Sequence, residues 1–380
     1  MRIELISVGT ELLLGHIVNT NAAYLSERLA EAGIDVFRVT TVGDNPDRLT
    51  AAIRESLDRA DAVMLTGGLG PTIDDITSAT VARFAGRSTV LKNHVGTAPG
   101  LIFDYKGKVI ICLPGPPREL EPMFEKNILP YLYKRCTPHA VRCTIKSRSI
   151  KLTGLPESVV NNKVKDLLAM KPPTTVGIYA KLGEVDLKIM AKARSERAAA
   201  AEMAKIEREI RRRFGDYIFG CDDETLEGVV GKALLAKKRT IAVAESCTGG
   251  LVSDRITNVS GSSDYFIGGI IAYSNDIKVN ILGVAELTLK RFGAVSAQAA
   301  LQMADGVRRL TSTDIGLGIT GIAGPTGGTK SKPVGLVFVA LTTDRKRVVR
   351  DFRFRGDREE IKFQSSQAAL DMVRKSDFLT

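Results

Sequence analysis

The strongest chemical signal in the sequence is a serine that follows an apolar strand. Residues 244–250 read Ala-Glu-Ser-Cys-Thr-Gly-Gly and lie between a strand predicted over 241–244 and a helix predicted over 248–258. Open α/β sheets place their sites at the carboxyl ends of strands, and amide groups at a helix start suit an anion or a developing oxyanion. Ser246 is therefore a candidate nucleophile, although serine is also a common helix cap.

Cys247 is the competing nucleophile in the same segment. A thiolate at a helix start has a lowered pKa, but adjacent side chains cannot face one substrate equally well. Histidine occurs only at positions 16, 94 and 139. The chain after position 139 therefore has no histidine of its own to activate Ser246 or Cys247, and a serine nucleophile there needs another base.

Three further segments place polar or glycine-rich residues after predicted strands. They are residues 273–278, the glycine-rich loop 320–328 and residues 356–358. A glycine-rich loop can present backbone N–H groups to a phosphate or can be a flexible turn. Because the polar ends of four strands converge on one face of a sheet, the sequence predicts a site there.

These motifs together resemble the CinA family (competence/damage-inducible protein A). The matching segments are AESCTGG, YSNDIK, GAVS, GITGIAGPTGG, KPVG and GDR. The resemblance covers essentially all of residues 221–380. It implies a nicotinamide-nucleotide amidase domain, which converts nicotinamide mononucleotide into nicotinate mononucleotide and ammonia.

The same resemblance implies roles for individual residues. Ser246 matches the nucleophile and Lys278 the general base, while Tyr273, Thr320 and Arg358 match supporting active-site positions. A lysine base needs a pKa several units below its free value of ~10.4, and burial or a nearby cation lowers it. Arg358 could supply that cation or bind the substrate phosphate.

The backbone amides of residues 248–250 or 321–324 are candidate donors to the substrate oxyanion. The substrate-binding candidates in this domain are Thr248, Gly249, Gly250, Gly321 and Gly324. The scheme requires no cofactor and no metal.

The first 130 residues alternate predicted strands and helices, which indicates a mostly parallel sheet covered on both faces. Segments 9–15, 19–21, 42–45 and 66–75 resemble the N-terminal domain of the same family, which is similar to molybdopterin-binding folds.

Within the last of these segments, Gly67 and Gly68 would let a phosphate approach the backbone. Asp74 and Asp75 could hold a divalent cation or cap the following helix, and their spacing favours the cap.

Some family members hydrolyse ADP-ribose in this domain. Family sequences usually carry a long helical segment where only residues 92–94 separate Leu91 from Val95 here. We therefore expect a weakened or absent pyrophosphatase, and the alternatives are nucleotide binding without turnover or a role in assembly.

The middle of the chain is strongly basic. The whole chain has a net charge of +11, and residues 131–220 contain 19 basic and 9 acidic residues, a net of +10. This segment resembles the family's KH-like linker domain, but it lacks the GXXG loop with which KH domains grip nucleic acid. Nucleic-acid binding through this module is the rival function, and we expect it to be absent.

Composition excludes several other classes of protein. The chain has 380 residues, of which 44% are hydrophobic and 26% charged, as in ordinary globular proteins. Five cysteines without paired spacing disfavour a disulfide framework and a zinc site. No apolar run approaches the ~18 residues of a membrane helix. We expect a cytoplasmic protein that acts on a small nucleotide, without a membrane partner.

These observations predict an α/β protein of three domains. They are a molybdopterin-binding-like α/β domain over 1–135, a small KH-like α+β module over 136–220 and an α/β amidase domain over 221–380. The family resemblance also implies a homodimer.

Overall fold

A computed structural model describes residues 1–70, 75–84, 88–136 and 144–376. The chain divides into two compact units. The first comprises residues 1–147, 172–174 and 190–203, and the second comprises residues 148–171, 175–189 and 204–380.

The first unit contains a six-stranded sheet in the order β2-β1-β3-β6-β5-β4. Its strands are β1 (Arg2–Val8), β2 (Asp35–Val42), β3 (Ala62–Thr66), β4 (Ser88–Leu91), β5 (Gly100–Tyr105) and β6 (Lys108–Leu113). Its helices are α1 (Thr10–Leu13), α2 (Thr20–Glu31), α3 (Pro46–Arg59), α4 (Thr77–Ala82), α5 (Pro117–Met123) and α6 (Leu129–Cys136), and a π-helical turn (Phe124–Ile128) joins the last two.

The predicted parallel character holds for three of the five strand pairings in this sheet. The pairs β1–β2, β1–β3 and β3–β6 are parallel, whereas β4–β5 and β5–β6 are antiparallel. The central strand β3 is buried along its whole length. Strands covered on both faces are continuous apolar runs, which is why the sequence identified β3 directly.

The middle module has a four-stranded sheet in the order β10-β7-β9-β8. Its elements are β7 (Thr144–Thr153), α7 (Glu157–Lys163), α8 (Lys165–Leu168), β8 (Thr174–Lys181), β9 (Glu184–Ala193), α9 (Glu196–Phe214), a 3-10 turn (Gly215–Tyr217) and β10 (Ile218–Cys221). Strand β10 pairs with β7 in the antiparallel sense.

The second unit also contains a five-stranded sheet in the order β12-β11-β13-β14-β15. Its elements are α10 (Leu226–Ala236), β11 (Ile241–Glu245), α11 (Leu251–Thr257), a 3-10 turn (Ser262–Asp264), β12 (Phe266–Ile271), α12 (Asn275–Asn280), α13 (Glu286–Phe292), α14 (Ala297–Thr311), β13 (Ile315–Gly321), β14 (Leu336–Thr342), β15 (Arg347–Arg353) and α15 (Arg358–Arg374). Strand β11 is parallel to both β12 and β13, and the remaining two pairings are antiparallel.

Both faces of this sheet are covered by helices. On β11, Ile241 and Val243 belong to the apolar cluster that includes side chains of α10, α11 and α15, whereas Ala242 and Ala244 pack with α14. This alternation follows from the period of two in a strand. On the α14 face the strands carry small residues, which lets the helix approach the sheet closely.

The α/β class, the molybdopterin-binding-like domain, the KH-like module and the C-terminal α/β domain are confirmed. The three-domain boundaries stay a prediction. Within the described ranges, no helix is both long enough and apolar enough to cross a membrane.

Candidate active site

The sheet of the second unit brings Ser246 and Lys278 together. Ser246 directly follows β11, and Lys278 lies on α12, which follows the neighbouring strand β12. The Lys278 Nζ atom is 3.2 Å from the Ser246 Oγ atom. Nζ also donates to the carbonyl oxygens of Ala272, at 2.7 Å, and Tyr273, at 3.2 Å. Two side chains that are 32 residues apart in the chain therefore share one hydrogen bond.

Lys278 is buried, with only 1% of its surface exposed. Burial disfavours the charged ammonium and lowers the pKa of Lys278 from its ordinary value. Within the described ranges, no carboxylate forms an ion pair with it. Burial therefore accounts for the lowered pKa without help from a neighbouring cation, which leaves Arg358 available for another role.

Ser246 is not a helix cap. Helix α11 begins at Leu251, later than the predicted helix over 248–258, and Gly250 occupies its N-cap position without a side-chain hydrogen bond. The carboxylate that serves the start of this helix belongs to Glu245, the last residue of β11. The cap alternative for Ser246 was therefore wrong.

Sequence reasoning missed Glu245. Its side chain is fully buried, and its two carboxylate oxygens accept hydrogen bonds from the amides of Gly250, Val252 and Ser253 and from the Ser253 hydroxyl. The signal available in the sequence was a glutamate inside a buried apolar run, because such residues are seldom fully buried unless they are paired.

The turn between Ser246 and α11 depends on two glycines. Gly249 and Gly250 have φ angles of +64° and +98°, which residues with a Cβ rarely adopt. The Gly249 amide donates to the Ser246 carbonyl oxygen and the Gly250 amide donates to Glu245. Of the predicted oxyanion donors, these two amides are thus already engaged.

Two other amides of this turn, those of Cys247 and Thr248, lie beside the Cys247 thiol and favour its charged form. Among the residues that the structure describes, no oxygen accepts from the backbone amide of Cys247 or Thr248. The Thr248 hydroxyl is fully buried and has no hydrogen-bond partner there either. The Cys247 amide, which follows the serine directly, was not among the sequence-based candidates.

The thiol of Cys247 does not have the properties expected of a helix-start thiolate. Its side chain is 7% exposed and packs in the apolar core of the domain. Burial raises the pKa of Cys247 to about 12. The expectation of a lowered pKa for this thiol was wrong, because desolvation outweighs the backbone amides that favour its charged form.

Arg358 joins two of the other predicted segments. It is the first residue of α15. Its Nη2 atom donates to the Tyr273 hydroxyl at 3.2 Å, and its Nη1 atom donates to the Gly324 carbonyl oxygen at 2.7 Å. Tyr273 itself is 64% exposed. The structure thus places Tyr273, Gly324 and Arg358 at one edge of the sheet.

Thr320 and Gly321 are the last two residues of β13, and both contact neighbouring parts of the domain. The Thr320 hydroxyl donates to the Ala294 carbonyl oxygen at 2.8 Å. A Cβ atom on Gly321 would lie 2.6 Å from a methyl group of Val337 on the paired strand. Strand β13 adjoins the turn after Ser246 directly, because the Ser246 amide donates to the Ile319 carbonyl oxygen.

A cavity of about 400 Å³ lies in the first unit. Gly67, Gly68 and Asp75 line it, together with Glu11 and Asp44. Both glycines have positive φ angles, and a Cβ atom at either one would collide with neighbouring oxygen atoms. The tight path of this loop is therefore what requires glycine.

Asp74 and Asp75 of this loop were predicted to cap the following helix or to hold a cation. Asp74 lies outside the described residues. Asp75 does not cap the next helix as expected, because α4 begins at Thr77 with Ile76 at its N-cap. Within the described ranges, no group of three or more His, Cys, Asp or Glu side chains is arranged to hold a metal ion.

Three family models match successive parts of the chain. The probable molybdopterin binding domain matches residues 4–134, the damage-inducible protein CinA KH domain matches 147–220, and the CinA C-terminal domain matches 223–376.

Curated relatives match over nearly the whole chain. The CinA-like protein of Kosmotoga olearia is 44% identical over 412 aligned positions, which cover 99% of both chains. A putative competence-damage inducible protein of Moorella thermoacetica is 46% identical over 413 positions, again with 99% of both chains. Because this chain has 380 residues, at least 32 positions of the first alignment hold no residue of it.

Solved structures match the chain in part. The crystal structure of a competence/damage inducible protein from Agrobacterium tumefaciens is 38% identical to the matched part, with a TM-score of 0.38. The match covers 39% of this chain and 90% of that chain.

Proposed function

The chain belongs to the CinA family, and from that premise we propose that its C-terminal domain hydrolyses the carboxamide of nicotinamide mononucleotide. The products are nicotinate mononucleotide and ammonia. The observation that carries the proposal is the buried hydrogen bond of 3.2 Å between Lys278 Nζ and Ser246 Oγ. A serine beside a desolvated lysine is an activated nucleophile without histidine.

The hydrogen-bond partners of Lys278 support its role as a base. A neutral primary amine has two N–H groups and one lone pair. The carbonyl oxygens of Ala272 and Tyr273 can only accept, so they take the two N–H groups. The lone pair is then left for the third partner, the Ser246 hydroxyl, which donates its proton to it.

The proposed reaction has two halves. Ser246 Oγ attacks the carboxamide carbon while its proton passes to Lys278 Nζ, and the amides of Cys247 and Thr248 donate to the resulting oxyanion. The C–N bond then breaks, and Lys278 returns the proton to the leaving nitrogen, which departs as ammonia. In the second half Lys278 takes a proton from water, the hydroxide oxygen attacks the acyl-enzyme, and Ser246 leaves with that proton.

Tyr273 and Arg358 are proposed to hold the substrate. The exposed ring of Tyr273 offers a face to the positively charged pyridinium ring of the nucleotide. Arg358 uses two of its five N–H groups on Tyr273 and Gly324. Its remaining N–H groups can bind an anionic part of the substrate.

The proposal is tested by measuring ammonia release from nicotinamide mononucleotide. We expect Lys278→Met to lower kcat roughly 100- to 10,000-fold, as loss of a general base does. Lys238→Met is the matched control, because this exposed lysine precedes the start of β11 and lies at the opposite end of that strand from Ser246. Absence of ammonia release by the wild-type chain would refute the amidase proposal.

For the N-terminal domain we propose nucleotide binding with little or no turnover. The glycine-lined cavity of about 400 Å³ supports binding. The alignment with the relatives is longer than this chain, as expected if the helical segment between Leu91 and Val95 is missing. The full chain carrying Ser246→Ala should release little AMP from ADP-ribose in the presence of Mg²⁺. Rapid AMP formation would contradict the expected loss of pyrophosphatase activity.

A further inference from the structure

Lys362 is a cation beside the turn that carries Ser246, and it has no part in the proposed mechanism. It lies on α15, and its Nζ atom is 3.8 Å from the position that a Cβ atom on Gly249 would occupy. Gly249 is three residues from Ser246. The amino group of Lys362 is therefore close to the turn that carries the nucleophile.

Lys362 is half-buried, yet it has no counter-charge in the protein. Within the described residues, no carboxylate forms an ion pair with its amino group and no oxygen accepts a hydrogen bond from it. Half-buried lysines usually have a partner, because taking an ammonium out of water is costly. The partner of Lys362 is thus expected to come from outside the protein.

Arg358 adds a second positive charge on the same side of the helix. Residues four positions apart on a helix are neighbours, and like charges at that spacing repel each other. Among the described residues, none of the three carboxylates at the start of this helix, Asp357, Glu359 and Glu360, forms an ion pair with either cation. An anion bound between the two cations would remove the repulsion.

The two ends of the site therefore have different chemistry. Ser246 and Lys278 act on a neutral carboxamide, whereas Arg358 and Lys362 present two cations nearby. A substrate that fits both ends has an amide and a phosphate in one molecule. Lysine and arginine side chains bind phosphate oxygens by charge-assisted hydrogen bonds.

We propose that Lys362, together with Arg358, binds the phosphate of the substrate and makes the site select a nucleotide over the corresponding nucleoside. This inference rests on the proposed amidase function of the same site. Lys362 touches the substrate phosphate but not the reacting atoms, so it determines specificity rather than the rate of the chemical step.

The test compares nicotinamide mononucleotide with nicotinamide riboside, which lacks the phosphate. Lys362→Met should raise KM for the mononucleotide about 10- to 100-fold, the range expected for a lost hydrogen bond between charged groups. Its kcat should stay within about twofold, because the phosphate contact is the same in the ground and transition states. Kinetics with the riboside should not change.

Two further variants separate this role from a structural one. Lys362→Arg should restore most of the mononucleotide KM, since it keeps the charge, and Lys238→Met should behave as wild type. An unchanged mononucleotide KM in Lys362→Met, or an equal loss with both substrates, would overturn the phosphate assignment while leaving the amidase intact. Inactivity of the wild type on both substrates would instead refute the amidase proposal.

Discussion

The buried carboxylate of Glu245 offers the sharpest test of how this fold holds its nucleophile. It accepts from the amides of Gly250 at 3.0 Å, Val252 at 3.1 Å and Ser253 at 2.9 Å, and from the Ser253 hydroxyl at 2.7 Å. The substitution Glu245→Gln keeps the size of the side chain but replaces one acceptor oxygen with a donor NH₂ group. The turn after Ser246 must then lose hydrogen bonds.

The loss can be worked out from these contacts. In its best orientation the glutamine side-chain oxygen still accepts hydrogen bonds from the amides of Gly250 and Val252, and its NH₂ group faces Ser253. The Ser253 hydroxyl can rotate to accept, but the Ser253 amide loses its acceptor, which costs ~1–3 kcal/mol when buried. The two retained bonds also weaken, from ~1.5–3 kcal/mol with a charge to ~0.5–1.5 kcal/mol without one. Removing a buried charge offsets part of this, which leaves about 3 kcal/mol of destabilisation.

Differential scanning calorimetry of the full chain measures this effect. For a folding unit of 150–250 residues, 1 kcal/mol shifts Tm by ~2–4 °C, so the transition of the second unit should fall by about 6–12 °C. Glu286→Gln is the control, because that carboxylate is exposed and, among the described residues, its ion pair is a surface pair with Lys290. A shift below about 2 °C for Glu245→Gln, similar to the control, would refute this account of the turn.

Three further predictions concern the Ser246–Lys278 pair. Ser246→Ala should lower ammonia release at least ~1,000-fold, whereas Cys247→Ala should keep most activity because the thiol is buried; retained activity in Ser246→Ala would contradict this. The kcat/KM for the mononucleotide should rise with pH through the lowered pKa of Lys278, and a pH-independent profile would exclude lysine as the base. The unfolded chain binds the proton of the Lys278 amino group more tightly than the folded chain does, so Lys278→Met should raise Tm at pH 7. This gain in Tm should shrink as the pH approaches 10.5. An equal Tm difference at both pH values would contradict the lowered pKa.

Much of the fold follows from local patterns. Buried strands such as β3 and β11 are short apolar runs between helices, and such alternation predicts an α/β sheet with its polar residues at strand ends. The family resemblance added the roles of Ser246 and Lys278. The strand and helix pattern depends on residues that are close in sequence, and the family resemblance depends on short motifs compared one at a time.

Other features depended on contacts that no local pattern contains. Alternation of strands and helices does not predict the antiparallel strands β4 and β5, because they follow each other without a helix between them. The role of Glu245 depends on where α11 begins, and the raised pKa of Cys247 depends on the core that surrounds it.

By itself, the sequence determined the α/β class, the family and the pair of residues that could do the chemistry. Only the tertiary structure decided that Lys278 reaches Ser246, that the thiol of Cys247 is buried with a raised pKa and that Lys362 lies at the same turn. The physical reason is that periodicity records which side of an element is buried. The distance between residues on different elements is set instead by strand order and by the packing of helices across the sheet.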